Sequence, residues 1–190
     1  SQADAKANVV TKREHQFSPK LGLTYKVAPW LSVYGSYTEA FGGNASTGIT
    51  ATGNMLKPES SEQYEIGAKT ELFDGKMNAS LAIYDLTKQN IATADLANPG
   101  FSRSIGEAKS KGVELDVSGE ITPNLSVIAN YAYNDISITK SNNGDEGNRF
   151  ANVPRNSGAV WLKYAFKDDI LNGLSIGGGI FAADQAEGDN

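Results

Sequence analysis

The feature that most constrains the fold of this chain is a regular alternation of very short and long links between strand-like segments. Residues 21–27 and 31–37 each alternate apolar and polar side chains, and only Ala28, Pro29 and Trp30 lie between them. A long stretch rich in Gly, Ser, Thr and Asn then precedes the next alternating segment, residues 64–72. Because antiparallel strands reverse direction at every link, this alternation places all the long links at one edge of a sheet.

About eight strands are predicted from alternation with a period of two residues. In the clearest of them Ile66 and Leu72 share one face, whereas Glu65 lies on the other. Asp74-Gly75 between two alternating runs is a strong signal for a tight hairpin. The predicted strands cover residues 17–27, 31–41, 61–73, 77–89, 108–121, 125–139, 157–166 and 173–183.

One face of each predicted strand is apolar and the other is polar or charged, which fits two architectures. A soluble sandwich and a membrane barrel give the same alternation. A tilted membrane strand needs roughly 9–11 residues, which these segments reach, whereas globular strands most often have about 5–6. We therefore expect an all-β, antiparallel up-and-down meander that is part of a larger outer-membrane β-barrel. A soluble β-sandwich binding or adhesin-like module is the alternative, and an enzyme on a small closed eight-stranded barrel is a weaker third possibility.

Aromatic residues and long links concentrate where a barrel needs them. Three long loops are predicted at residues 42–60, 90–109 and 140–156, and such lengths are ordinary on the external side of a barrel but unusual in a compact soluble domain. Two aromatic girdles are expected at the two membrane interfaces, although packing in a sandwich core would place aromatics similarly. They comprise Trp30, Phe73 and Phe166 near the short links, and Phe41, Tyr64, Tyr84, Tyr131, Tyr133 and Phe181 toward the long links.

The composition argues against several classes of function. The 190 residues include no Cys, one His and two Met, which leaves little for thiolate or transition-metal chemistry. The formal charge of -5 disfavours a nucleic-acid partner. No Ser, Asp and His spacing suggests a catalytic triad, so no enzymatic activity and no metal site are expected.

Several stretches, in order along the chain, carry a more specific pattern. Residues 56–69 read Leu-Lys-Pro-Glu-Ser-Ser-Glu-Gln-Tyr-Glu-Ile-Gly-Ala-Lys, and residues 106–119 read Gly-Glu-Ala-Lys-Ser-Lys-Gly-Val-Glu-Leu-Asp-Val-Ser-Gly. Residues 122–135 read Thr-Pro-Asn-Leu-Ser-Val-Ile-Ala-Asn-Tyr-Ala-Tyr-Asn-Asp, and residues 17–25 and 152–156 extend the match. Over nearly its whole length, the chain resembles the TonB-dependent receptors for ferric siderophores.

This resemblance implies a role, a location and a set of partners. The chain would be a partial barrel domain of four hairpins, residues 1–190, without the plug domain and the remaining strands of a barrel of roughly 22 strands. The whole receptor would transport a ferric siderophore across the bacterial outer membrane, energised by the TonB complex through the plug, and would bind no cofactor directly. The wall would contact outer-membrane lipid. The isolated chain is expected to self-associate through its open strand edges.

Candidate ligand-binding residues lie in or beside the predicted long loops. Phe41 and Phe101 could stack on a siderophore, although packing at the rim is the simpler interpretation. Arg103, with Lys109 and Lys111, forms a basic group that could attract an anionic ferric chelate or lipopolysaccharide, or could be only a charged loop base. Asp145-Glu146 lacks the spacing of an EF-hand, and a solvated loop is the simpler interpretation there.

Overall fold

A computed structural model describes residues 16–42, 48–150, 152–167 and 169–185, which form one antiparallel sheet. Over these described ranges the sheet has eight strands, and each strand pairs only with its neighbours in sequence, in the order β1 to β8. The predicted all-β up-and-down meander is therefore confirmed. The strands are β1 (Lys20–Ala28), β2 (Leu31–Gly42), β3 (Glu59–Leu72), β4 (Met77–Ala94), β5 (Ser102–Glu120), β6 (Leu125–Lys140), β7 (Asn156–Ala165) and β8 (Ser175–Ala183).

The short links lie at one edge of the sheet, as the alternation of link lengths predicts. Asp74 and Gly75 form the β3–β4 turn with φ of 57° and 81°, and the amide of Lys76 donates to the carbonyl of Phe73 at 3.2 Å. Two central residues with positive φ define the type I′ turn, whose twist matches that of the strands it joins. The β7–β8 link contains a single 3₁₀ turn, Asp169–Leu171.

The prediction of a long loop at residues 90–109 is wrong, because most of these residues lie in strands. β4 continues to Ala94 and β5 begins at Ser102, so only residues 95–101 connect them. Asn90 adopts φ of 60°, and the β4–β5 register shifts on either side of Ile91. A bulge of this kind moves the following side chains to the other face, which breaks the alternation that reveals a strand in the sequence.

The strand register sorts the side chains onto two faces of different character. Residues directly opposite each other in a ladder share a face, and the ladders of β2–β5 are uninterrupted over the central part of each strand. We call one face the apolar face and the other the polar face. The apolar face carries Leu23, Tyr25, Val33, Ile66, Leu81, Ile83, Val113, Leu115, Val117, Val127, Val160, Leu162 and Ile180; the polar face carries Thr24, Ser32, Tyr34, Glu65, Lys69, Ser80, Glu114, Asp116, Asn130 and Lys163.

In the described residues no second layer covers the apolar face. Among the described residues Leu56 and Ala108 are the buried hydrophobic side chains; both lie near the long-link edge, and Ala108, opposite Lys88, is on the polar face. Leu23, Ile66 and Ile180 on the apolar face are 77%, 63% and 77% exposed. A sandwich buries such a face against a second sheet, so the sandwich alternative is wrong for this part of the chain. Nor is the sheet a closed eight-stranded barrel, because the strand order does not pair β8 with β1.

The aromatic residues follow the girdle prediction only in part. Tyr64, Tyr131 and Tyr133 lie on the apolar face toward the long links, as a girdle requires. Tyr84 and Phe181 lie on the polar face, because they are opposite Glu65 and Ala159. No helix in the described part of the chain is both long and apolar enough to cross a membrane.

Candidate functional site

The β4–β5 hairpin extends beyond the adjacent strands at the long-link edge. A segment of the β2–β3 link packs against it. The amide of Ser102 donates to the carbonyl of Ile49 at 2.9 Å, and the amide of Lys57 donates to the hydroxyl of Ser104 at 2.9 Å. Leu56 is buried beside this pair. The segment 48–58 is therefore held against β5 by hydrogen bonds and one apolar anchor.

The other side of the same hairpin holds the link between β6 and β7. The Ala94 amide donates to Asn143 Oδ1 at 3.3 Å, and Asn142 Nδ2 donates to the Ala94 carbonyl at 3.4 Å. Both flanking links thus attach to the β4–β5 hairpin, which becomes the centre of the long-link edge.

A buried carboxylate strengthens this second attachment. Glu107 on β5 is 7% exposed and accepts hydrogen bonds from Lys140 Nζ at 2.6 Å and Thr139 Oγ1 at 2.8 Å. The hydrogen bond from the Lys140 ammonium is the main reason that the pKa of Glu107 is lowered from its usual value. The ionised form of Glu107 is thereby favoured, and its ion pair with Lys140 holds β6 against β5.

Two crevices flank the hairpin. The first has a volume of about 630 Å³ and separates segment 48–58 from the hairpin tip. The second, of about 430 Å³, separates the hairpin from the β6–β7 link. The first is lined by Thr50, Ala51, Thr52, Asn54, Met55, Lys57, Asp95, Ala97, Asn98, Arg103, Ser104 and Ile105, and the second includes Thr93, Glu107, Lys140, Asn143, Asp145, Asn148, Arg149 and Phe150.

The predicted ligand-binding residues do not form one cluster. Arg103 is exposed and lines the first crevice together with Lys57. Phe101 is half-buried at the hairpin tip, where its backbone accepts from Asp95 and donates to Asn98 at 2.9 and 3.1 Å. Phe41 lies on β2 opposite Ser60 and lines neither crevice.

The predicted basic group is also divided. Lys109 and Lys111 lie on the apolar face, opposite Thr87 and Asp85 of β4, whereas Arg103 lies beyond the register shifts of the same ladder. Glu146 caps its own loop, since its carboxylate accepts the amide of Ser141 at 3.0 Å. Among the described residues no group of three or more His, Cys, Asp or Glu side chains is placed to hold a metal ion.

The sequence interpretation missed most residues of the first crevice. Lys57, Asn54 and Asp95 come together only because segment 48–58 pairs with a hairpin more than forty residues away, as the Lys57–Ser104 contact shows. The sole local signal was the polar run Thr50, Thr52 and Asn54, where two threonine hydroxyls and the asparagine side chain form a hydrogen-bonded turn.

A third crevice lies on the polar face near the short links and has a volume of about 540 Å³. Its polar walls come from five strands, with Lys26, Lys69, Glu71 and Asp116 as the charged members. The Lys69 ammonium lies 5.1 Å from the centre of the Tyr34 ring, within the range of a cation–π contact. The polar face is thus suited to contact polar groups rather than lipid.

Comparisons with known proteins agree with this geometry. A family model described as "TonB dependent receptor-like, beta-barrel" matches residues 1–190. The chain is 35% identical to the ferrioxamine B receptor of Salmonella typhimurium over 88% of its own length and 23% of the receptor. It is 35% identical to the metal-pseudopaline receptor of Pseudomonas aeruginosa over 91% of its length and 24% of that protein.

Solved structures give the same result. The siderophore receptor PiuA of Acinetobacter baumannii superposes with a TM-score of 0.76 at 30% identity, over 90% of this chain and 26% of the receptor. FpvA of P. aeruginosa, bound to pyoverdines, superposes with a TM-score of 0.74 at 31% identity, over 86% of this chain and 22% of the receptor. The chain therefore spans about a quarter of the length of the relatives that it matches.

Proposed function

Because the chain belongs to the TonB-dependent receptor family of outer-membrane β-barrels, we propose that residues 1–190 form part of the barrel wall of a receptor for ferric siderophores. The four hairpins would make up one sector of the barrel domain, and other strands and a plug domain would complete it. The observation that carries this proposal is the single uncovered sheet with one apolar and one polar face. That arrangement suits a wall with lipid on one side and a polar interior on the other.

The relatives suggest the chemical class of the transported ligand. Their names include receptors for ferrioxamine B and ferripyoverdine and a transporter for ferrichrome, all of them ferric chelates. In our proposal a ferric siderophore is the cargo and not a resident cofactor. Uptake depends on the TonB complex, which acts through the plug. The family is one of transport receptors, and we propose that the chain carries no catalytic activity.

The first crevice is our candidate for ligand contact. Because outer-membrane barrels have short periplasmic turns and longer external links, this crevice would lie on the outer side of the membrane in our proposal. Arg103 presents an exposed guanidinium there with Lys57 nearby, and together they favour an anionic or oxygen-rich ligand. Phe101 would border the ligand at the hairpin tip, and Phe41 would pack at the rim of the wall.

Binding by the complete receptor that contains this sector tests the proposal. Ferrioxamine B, ferrichrome and ferripyoverdine serve as probes, and uptake is measured with and without TonB. Specific, TonB-dependent uptake of at least one probe is expected. Uptake of none of them, or uptake that does not depend on TonB, would contradict the proposed function.

The role of Arg103 has its own test in the same assay. Arg103→Gln should weaken binding of the transported probe roughly tenfold, since a hydrogen bond to a charged group contributes about 1.5–3 kcal/mol. Lys76→Gln is the matched control, because it removes one positive charge from an exposed turn at the opposite edge. Equal affinities of the two variants would show that Arg103 does not contact the ligand, without affecting the proposal for the whole receptor.

A further inference from the structure

Three cations lie on the apolar face beyond Tyr133, toward the long links. Lys111 is directly opposite Asp85 of β4 and Asp135 of β6, and Lys109 is one pleat further toward the long links. Arg155, immediately before β7, reaches the same place, since its Nη2 lies 3.6 Å from Asp135 Oδ1. We call Lys109, Lys111 and Arg155 the outer basic cluster.

The cluster keeps unused hydrogen-bonding capacity. Lys111 Nζ lies 3.0 Å from Asp85 Oδ2, yet the lysine side chain is 69% exposed, and that of Arg155 is 47% exposed. Lys111 and Arg155 each contact one carboxylate and Lys109 adds a third positive charge, so the cluster retains a net positive charge. An ammonium group has three N–H donors and a guanidinium group has five. Lys111 and Arg155 therefore keep donors that their carboxylate partners do not use.

The opposite charge is found at the same height elsewhere on this face. Glu39 and Glu62 are direct partners across the β2–β3 ladder, next to Tyr37 and Tyr64. The positive side chains that the regular ladders place on the apolar face of the described residues lie on β5, and Arg155 lies beside them just before β7. The cluster therefore occupies one position on the described part of the wall.

The height of the cluster matches the level of lipid headgroups. Lys111 lies two residues beyond Val113, the partner of Tyr133, which is about 7 Å along the strand. The headgroup layer on each side of a bilayer adds roughly 5–8 Å to the hydrocarbon core. If the apolar face contacts hydrocarbon, the cluster lies in the layer of phosphates on the side of the long links.

We propose that the outer basic cluster binds the phosphate of a phosphorylated lipid headgroup in the external leaflet. The inference rests on the proposed function, because it requires the apolar face to be the outer surface of a membrane barrel. Arg155 provides a planar pair of donors suited to phosphate oxygens, and the two lysines provide flexible point charges. Asp85 and Asp135 hold two of the cations in position.

Native mass spectrometry of the complete receptor in detergent tests the assignment. The probes are phosphorylated lipid A and the same lipid after enzymatic removal of its phosphates. The triple variant Lys109→Gln, Lys111→Gln and Arg155→Gln should retain phosphorylated lipid A roughly tenfold less than the wild type. The matched control replaces Lys76, Lys163 and Lys167, toward the short-link edge, by Gln and should retain it as the wild type does.

The other outcomes are decisive as well. Equal retention by the two triple variants, or equal retention of both lipid forms by the wild type, would overturn the proposal. Siderophore binding, measured on the same samples, shows that the variants are folded. Lipid selectivity in a receptor that binds no siderophore would refute the proposed ligand class only, whereas siderophore binding without lipid selectivity would refute only the cluster assignment.

Discussion

Aromatic side chains on the polar face lie over glycines of the neighbouring strand. Trp161 is the direct partner of Gly179, where an added Cβ would come within 2.8 Å of its ring. Tyr84 lies in the same way against Gly112, its direct partner on β5. Trp161 is a large apolar residue at a polar-face position of β7, and the glycine opposite it makes room for its ring.

Replacing Gly112 should therefore weaken the sheet, whereas replacing Gly178 should not. In Gly112→Ala the new methyl would meet the Tyr84 ring and would lie 2.6 Å from the carbonyl oxygen of Tyr133. Overpacking of this kind costs about 1–3 kcal/mol. Gly178→Ala is the matched control, since nothing lies within 4 Å of its Cβ position.

The measurement is the unfolding temperature of the complete receptor in detergent, which is monitored by the shift in electrophoretic mobility on heating. Gly112→Ala should unfold at a lower temperature than the wild type, and Gly178→Ala at the same temperature. If both variants unfold at the same temperature as the wild type, the ring of Tyr84 moves aside at little cost. The close packing of Tyr84 against Gly112 would then not contribute to stability.

At the level of elements, the hairpins with short links were predictable because their signals are local. Asp74-Gly75 defines its turn, and alternation on either side sets which residues face outward. The part of the β4–β5 hairpin nearest the long-link edge was not predictable. The bulge at Asn90 changes the alternation, and the polar residues that follow it are typical of a loop. Arg103 could be selected as a cation near a loop, but its neighbour Lys57 depends on contacts distant in sequence.

The two faces of β5 should respond differently to a new charge. Leu115 is directly opposite Leu81 on the apolar face, and Glu114 is its immediate neighbour on the polar face. Leu115→Lys should destabilise the inserted barrel by roughly 2–4 kcal/mol if the residue lies near the membrane midplane. Glu114→Lys places the same side chain on the polar face and should cost much less.

Folding of both variants into lipid vesicles, with denaturant titration in the presence of the bilayer, checks this prediction. A smaller stability of Leu115→Lys, together with a near-native value for Glu114→Lys, is expected. Equal stabilities would mean that the apolar face does not contact lipid, and would remove the premise of the outer basic cluster.

At the scale of the whole sheet, two edges and one face have no partner among the residues that the structure describes. Within that part of the chain β1 pairs only with β2 and β8 only with β7, so each terminal strand presents unpaired backbone groups along its outer side. Leu21, Leu23, Ile176 and Ile180 on these two strands are 64–77% exposed. In a complete barrel, further strands would pair with both edges and lipid would cover the apolar face.

The 190-residue chain produced alone should therefore self-associate in aqueous buffer. Open edges are templates for pairing with another copy, and an uncovered apolar face of this extent adds a hydrophobic driving force. Sedimentation velocity in detergent-free buffer should show oligomers or aggregates, and the same sample in a mild detergent should shift toward smaller species. The control is the complete receptor in detergent, where both edges are paired. A stable monomer without detergent that binds little apolar dye would show that the chain covers its apolar face by a rearrangement that the single sheet does not contain.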